Sequence, residues 1–436
     1  MEKQQVHQLR AIEALRAGVP SSDVVRHMPP HQTEVQDHFE SLLKSTFDDG
    51  KPTGLLLAGD FGTGKSHWLE RLEHLAREQN FICSRIVLNK ETPLHDLKKL
   101  YRAAVEAAHA PHKKGPALIE IAHTYNADNM PEYYNFREWA ENKEGLDPRF
   151  VTTLHIFERS MDDEIRQKVL AEWTGYPLKV GDLKSILKGM GEAIYSPKKT
   201  PKTYLGVPLD TEQKNSFHVG RIQNDNLHLR FEFMARFFQS AGYTGWVILL
   251  DEAEMISRYS LRQRGKAYAH LAQLLGRDKT TRIPGVISAF TITNDYSGQV
   301  LHGRKNDIVS IPAKVSGTKD DALVEPAELG MAAIESSTLP LRPPTADELN
   351  TIYDTTRQLY SEAYNWSAPD LTNRREYAGS TGLRQYLREW INSWDLRRLY
   401  DYETDTIVET IDISYDEDTD IQKEDTGRDD QPETIL

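Results

Sequence analysis

The chain has 436 residues, enough for two or three domains with proper cores, and a formal net charge of −13. Its single cysteine, Cys83, excludes an intramolecular disulfide and fits a reducing compartment. The opening MEKQQVHQLRAIEAL has no apolar signal-peptide core, and runs such as WVILL are far too short to cross a bilayer, so a soluble cytoplasmic protein without membrane association is expected.

In chain order, residues 6–17 read as a short helix, with Val6, Leu9, Ile12 and Leu15 on one face and Gly18 and Pro20 as stops. Thr33-Glu34-Val35-Gln36 has capping-box spacing and opens a second helix that buries Val35, Phe39, Leu42 and Leu43. These N-terminal helices occupy 1–50. Next comes GLLLAGDFGTGKSHWLERL, residues 54–72. GLLLA is apolar throughout and too short for a helix, as expected of a strand buried in a parallel sheet. Gly59 to Ser66 fits G-x-x-x-x-G-K-[ST] at every fixed position. Gly59, Gly62 and Gly64 let successive backbone N–H groups converge on an anion. From Lys65 the apolar period becomes helical, through Trp68, Leu69, Leu72, Leu75 and Ala76, so the loop feeds a helix N-terminus suited to phosphate. Gly59, Asp60, Phe61, Gly62, Thr63, Gly64, Lys65, Ser66 and His67 are therefore the candidate nucleotide-binding residues. Lys65 would reach the β/γ-phosphates of ATP, and the Ser66 hydroxyl would hold Mg²⁺.

FICSRIVLNKE then reads as a second strand and TPLHDLKKLYRAAVEAA as a helix, completing the first part of a nucleotide-binding core over 51–110. Residues 111–240 interrupt the sheet. FVTTLHIFERSM and EIRQKVLAEW carry helical patterns there, and Lys113-Lys114 and Lys198-Lys199 lie in loops, so a mainly helical insertion is expected. The core resumes over 241–335. GWVILLDEAEMI is a buried strand with Asp251 and Glu252 at its carboxyl end, where ligands bind in open α/β sheets. Asp251 is placed to join Ser66 around Mg²⁺, and Glu252 to deprotonate the attacking water. This pairing points to hydrolysis rather than to a nucleotide kinase. A third strand, GVISAFTITND, ends in polar residues. That tip resembles the polar strand end of additional-strand P-loop ATPases, which implies that Asn294, with Thr293 in reserve, contacts the γ-phosphate or the water; ordinary Asn-Asp turn chemistry is the other reading.

Residues 336–400 read as a small helical lid. Leu383, Leu387, Trp390, Ile391 and Trp394 form a core stripe; beside it Gly382-Leu383-Arg384 resembles the start of the lid helix in AAA+ ATPases, which implies that Arg384 contacts the γ-phosphate, the other reading being a surface arginine or carboxylate partner. Arg304, Arg258 and Arg277 are candidates for an arginine finger acting across a subunit boundary. Arg258, Arg262, Arg264 and Lys266 either touch a phosphate backbone or form a solvated helix face. The last stretch, 401–436, holds fourteen Asp/Glu against Lys423 and Arg428, a charge of −12, which leaves the body at −1. It has too little apolar surface to order itself, and reads as a disordered solubility tail or an acidic docking arm. No cysteine cluster or HExxH is present, and Pro29-Pro30 break the His27–His31 pair, so no transition metal is expected.

The phosphate loop, DE strand, polar third strand and helical lid together resemble an AAA+ ATPase of the origin-recognition or STAND-like sort. The implied fold is an α/β P-loop NTPase of the additional-strand class, a parallel sheet with a helical insertion and a small helical C-terminal lid. More narrowly, RAIEALRAGVPSSDVV, GDFGTGKSHWLERLEHLAREQNF and LNKETPLHDLKKLYRAA resemble the BrxD-like ATP-binding proteins of BREX (bacteriophage exclusion) loci. That resemblance implies a prokaryotic antiphage-defence ATPase working with the helicase, methyltransferase and phosphatase-like proteins of its locus. Two functional classes stay open: a motor that self-assembles on double-stranded DNA, and a nucleotide-dependent switch or scaffold that recruits partner proteins.

Overall fold

In the computed structural model, which describes residues 3–45, 53–60, 62–124, 130, 132–192, 194–195, 217–219, 226–371 and 383–402, the apolar runs become neighbouring strands. Phe61, Gly382, Lys198-Lys199 and nearly all of the acidic tail lie outside the described residues. Helices α1 (Lys3–Ala17), α2 (Ser22–His27) and α3 (Thr33–Lys44) precede β1 (Gly54–Ala58). Helix α4 (Lys65–Glu78), β2 (Ile82–Val87), α5 (Leu97–Glu106) and β3 (Ala108–His109) follow. The next stretch holds α6 (Ala117–Thr124), α7 (Tyr133–Asn142), α8 (Pro148–Arg159), α9 (Asp163–Thr174) and α10 (Val180–Gly189). The short strands β4 (Ile194–Tyr195) and β5 (Phe217–His218) pair with each other, and α11 (Leu227–Ser240) leads back to the main sheet. That sheet resumes with β6 (Trp246–Asp251), α12 (Leu261–Leu274), β7 (Val286–Ile292), α13 (Asp307–Val315), α14 (Val324–Ser336) and β8 (Thr338–Pro340). Helices α15 (Ala346–Tyr364) and α16 (Leu383–Tyr400) close the described chain.

The six-stranded sheet runs in the order β3-β2-β6-β7-β1-β8. Every pair is parallel except β2–β3. Every residue of β1, β6 and β7 is buried, because helices cover both faces. The period of two divides each strand between two cores. Leu55, Leu57, Val247 and Leu249 pack with α3 and α4, whereas Leu56, Ala58, Ile248 and Leu250 pack with α5, α11 and α12. The helices of the 111–240 stretch share this second core. Phe150 meets Phe233 at 4.8 Å and Trp173 meets Phe237 at 5.2 Å between ring centres, tying α8 and α9 onto α11. A third cluster joins the two ends of the described chain, with Ile12, Leu15, Val24 and Met28 packed among Ile352, Tyr360, Trp390 and Trp394. Arg16 seals it, pairing with Asp395 at 2.8 Å and donating to the Tyr364 hydroxyl.

Two local expectations are corrected. Helix α3 starts one residue earlier than the capping box requires: Thr33 is already helical, and Gln32 sits at the cap without a side-chain bond to it. The Gln32 side chain is engaged elsewhere, donating to Pro340 O at 3.3 Å and accepting from Arg342 N–H at 3.2 Å. The segment after residue 336, expected to be mainly helical, begins with strand β8. Its parallel register against Leu56–Ala58 places a proline at a sheet edge, where a missing N–H is tolerated. Capping boxes do form where the side chains are free to close them, at Ser260/Gln263 for α12 and Thr345/Glu348 for α15.

Candidate functional site

The glycine-rich loop leaves β1 at the carboxyl edge of the sheet, and its backbone explains its composition. Gly59 N–H donates to Ile292 O at 3.0 Å, pinning the loop to β7. A Cβ at Gly59 would stand 2.4 Å from Thr63 Oγ1, so no side chain fits there. The Thr63 hydroxyl closes the turn by donating to Asp60 O at 2.8 Å. Gly62 and Gly64 adopt φ of 80° and 95°, the left-handed region that favours glycine. Gly64 caps α4 without any side-chain bond, leaving the helix's first N–H groups to an anion. Lys65 Nζ donates to Gly59 O at 2.7 Å and stands 4.0 Å from Glu254 Oε1. Arg85, from β2, donates to Ser66 O at 2.7 Å and also pairs with Glu70 at 2.5 Å. Burial, aided by Arg71, His31 and Arg85, holds the His67 imidazole down at about 4, so it is neutral at physiological pH.

Two strands away from β1, β6 delivers its carboxylates to the same edge. Asp251 Oδ1 accepts the Thr291 hydroxyl at 2.5 Å and Glu252 N–H at 3.2 Å, while Glu252 N–H also meets Thr291 Oγ1 at 3.1 Å. Asp251 is 6% exposed and Thr291 is fully buried, so these bonds form out of water. Glu252 is exposed and lies at φ 67°, in the left-handed region. A non-glycine residue there is strained, a condition that clusters at functional sites. Burial, then repulsion from Asp251, pushes the Glu252 carboxyl up, against the pull of Lys65 and Arg258.

A cavity of about 240 Å³ runs along this edge. One end is polar, lined by Asp60, Gly62, Gly64, Lys65, Ser66, His67, Asp251, Glu252 and Glu254. The other is largely apolar, formed by Leu15 of α1, Val24 of α2, Val19 and Met28 from the turns after these helices, and Leu383 and Leu387 of α16. His31 lines it too, with a buried Nε2 that has no hydrogen-bond partner. The loop carrying His31 is held on both sides: Arg71 of α4 donates to Met28 O, and Arg342 donates to His31 O at 3.3 Å.

Of the residues singled out in the sequence, the structure brings Gly59 to His67 (Phe61 apart), Asp251 and Glu252 to one edge, together with Arg384. Arg384 N–H reaches Gly62 O at 3.4 Å, and its side chain lies across Gly18, where an added Cβ would fall 2.8 Å from Nε. Asn294 is exposed in the turn after β7 and does not line the cavity, while Thr293 is buried. Arg258 sits in the turn after β6, close enough to act on Glu252, and Arg304 is exposed beyond β7. Arg277 lies at the opposite edge, one residue past Gly276, whose added Cβ would meet Thr53 just before β1. The notion of Arg264 as a phosphate-backbone contact is corrected. It is 3% exposed, clamps Asp307 with Nε and Nη2, and donates to Tyr259 O through Nη1. Arg262 is paired with Asp320 at 2.8 Å.

Sequence reasoning missed Thr291, Glu254 and Arg85. A polar threonine inside the apolar run VISAFTI was the available signal for the first, and the third acid of DEAE for the second. The third had none.

Fold and site together define an α/β protein with a mostly parallel sheet, compatible with a P-loop-like architecture, whose carboxyl edge carries a glycine-rich loop facing two acids. The chain belongs to the family described as BREX system ATP-binding protein BrxC/D, whose family model matches residues 4–161 and 207–379. No curated protein and no solved structure matches it. Among the described residues, no helix is long and apolar enough to cross a membrane.

Proposed function

We propose that the protein binds and hydrolyses ATP as an AAA+-like member of the additional-strand class, serving a BREX-type antiphage system. The observation that carries this reading is the Asp251–Thr291–Glu252 arrangement beside the glycine-rich loop. The additional-strand assignment is supported by the sheet order, in which β7 lies between β1 and the acidic strand β6. ATP would place its phosphates on the loop and the first turn of α4, and its base at the apolar end of the cavity.

Mg²⁺ fits the oxygen donors at hand. Thr291 and Glu252 N–H both bond Asp251 through Oδ1, which leaves Oδ2 as a hard oxygen donor in the cavity that the Ser66 side chain also lines. When bound there, the ion would offset charge on the phosphate oxygens. Within the chain, Thr291 fixes the rotamer of Asp251 and the Glu252 backbone, Glu252 takes the proton of the attacking water, and Lys65 steadies the transferring phosphoryl group. Arg384 reaches the loop from α16 and would couple the helical lid to the γ-phosphate. Asn294 remains a proposed γ-phosphate contact that would need the turn after β7 to approach the cavity.

Self-association, recruitment to double-stranded DNA and docking of other BREX proteins are part of the same proposal. The switch or scaffold reading is favoured by one observation: Lys65 is engaged by Gly59 O and stands beside Glu254, an arrangement suited to slow turnover. The experiment is a paired binding and hydrolysis assay. Lys65→Ala should lose both activities, and Glu252→Gln should bind ATP yet hardly hydrolyse it. Absence of hydrolysis by the parent would refute the ATPase reading, parental binding and turnover in Lys65→Ala would refute the phosphate-loop assignment, and parental turnover in Glu252→Gln would refute Glu252 as the base. Stimulation of the parental rate by DNA would select the motor, and its absence at low salt the switch.

A further inference from the structure

Of the two cavity carboxylates that the chemistry above leaves unused, Asp60 is exposed and Glu254 is not. Glu254, in the turn that follows Asp251 and Glu252, lines the polar end. Its Oε1 stands 4.0 Å from Lys65 Nζ, and the two side chains are only 12% and 10% exposed. Its Oε2 is sealed from water and makes no hydrogen bond. Burial pushes the Glu254 carboxyl up, Lys65 and a backbone hydrogen bond pull it back toward the charged form, and Glu252 and Asp251 add smaller upward pushes.

A half-satisfied buried carboxylate is costly, and a fold retains one where a nearby cation compensates it. Lys65 is that cation. It is also the residue whose charge a triphosphate needs. With its ammonium on Gly59 O and beside Glu254, Lys65 must give up protein oxygens before it can serve phosphate oxygens. Removing Lys65 from Glu254 then leaves a low-exposure carboxylate facing a polyanion, and like charges repel strongly where water is scarce.

We propose that Glu254 competes with the triphosphate for Lys65, so that Glu254 sets nucleotide affinity and takes no part in bond cleavage. The inference rests on the reading of Lys65 as a phosphate ligand. Glu254 is thus a positioning residue for Lys65, distinct from the base Glu252 two residues earlier. Its carboxylate weakens nucleotide binding.

The test is isothermal titration of the full chain with the Mg²⁺ complex of the β,γ-imido analogue of ATP, which removes hydrolysis from the measurement. Glu254→Gln keeps the side-chain shape, and Glu254→Ala removes the charge by a second route. Both should bind the analogue about tenfold more tightly than the parent, a gain of about 1.4 kcal/mol. Asp37→Asn, which removes an exposed carboxylate on α3 outside the cavity lining, gauges general repulsion and should shift affinity by less than about threefold. Unchanged or weaker binding in either Glu254 variant overturns the proposal, as does equal tightening in Asp37→Asn. Failure of the underlying reading is separable: the parent would not bind the analogue, or Lys65→Ala would bind it as the parent does, and either result overturns both.

Discussion

Replacing Thr291 by Val keeps the buried shape in β7 and deletes one hydroxyl. That hydroxyl donates to Asp251 Oδ1 at 2.5 Å and accepts Glu252 N–H at 3.1 Å, so a single oxygen positions both acids. A hydrogen bond to a charged group in a buried site contributes about 1.5–3 kcal/mol. If that whole amount is lost from the alignment of Asp251 and Glu252, turnover should fall about ten- to a hundredfold. Asp251 would also rotate more freely, and the Mg²⁺ midpoint should rise by a similar factor, as when outer-shell partners of metal ligands are removed. The assay is steady-state ATP hydrolysis at saturating nucleotide across a Mg²⁺ titration, with melting temperature recorded in parallel. Thr291→Ser, which restores the hydroxyl, should recover most of the loss. A Thr291→Val enzyme with parental turnover and parental Mg²⁺ dependence would refute the reasoning, and a lowered melting temperature alone would assign Thr291 to packing.

Two further predictions concern the scaffold. Asp307→Asn strips the counter-charge from Arg264, which is 3% exposed, and a buried charge left uncompensated costs about 3–5 kcal/mol, to be read as a lower denaturant midpoint. His67 supplies a pH signature. Its imidazole titrates at about 4 against an ordinary 6.5, so between those values the unfolded chain binds a proton that the folded chain does not. Its share of stability is complete above pH 6.5 and declines as pH falls toward 4. Urea midpoints over that window should therefore fall less steeply in His67→Gln than in the parent, and an identical slope would count against the buried neutral imidazole.

The parts legible in the sequence were those whose physics is local. The phosphate loop is one contiguous stretch, in which Gly62 and Gly64 need positive φ and Gly59 has no room for a Cβ. Asp251 and Glu252 follow directly on an apolar strand. What escaped depends on partners far along the chain. Thr291 means nothing until the β6–β7 register sets it beside Asp251, forty positions away. Arg264 reads as one charge among several on a helix face, because its partner Asp307 lies forty-three positions downstream. Strand β8 is three residues ending in proline, below any pattern threshold, and exists because β1 offers it an edge. Gln32 was passed over as a cap because its bonds go to residues 340 and 342.

The third hydrophobic cluster has a consequence for how the protein is made. Helices α1 and α2 leave the ribosome hundreds of residues before α16, yet Leu15 and Val24 share the apolar end of the cavity with Leu383 and Leu387. Domains generally fold from the N-terminus as synthesis proceeds. The glycine-rich loop can therefore take shape hundreds of residues before the wall that would hold a base, and a nascent chain carries half a pocket until α16 emerges. During that interval Ile12, Leu15 and Met28 stand without their partners from α15 and α16, which makes this stretch of the growing chain a natural client for a chaperone.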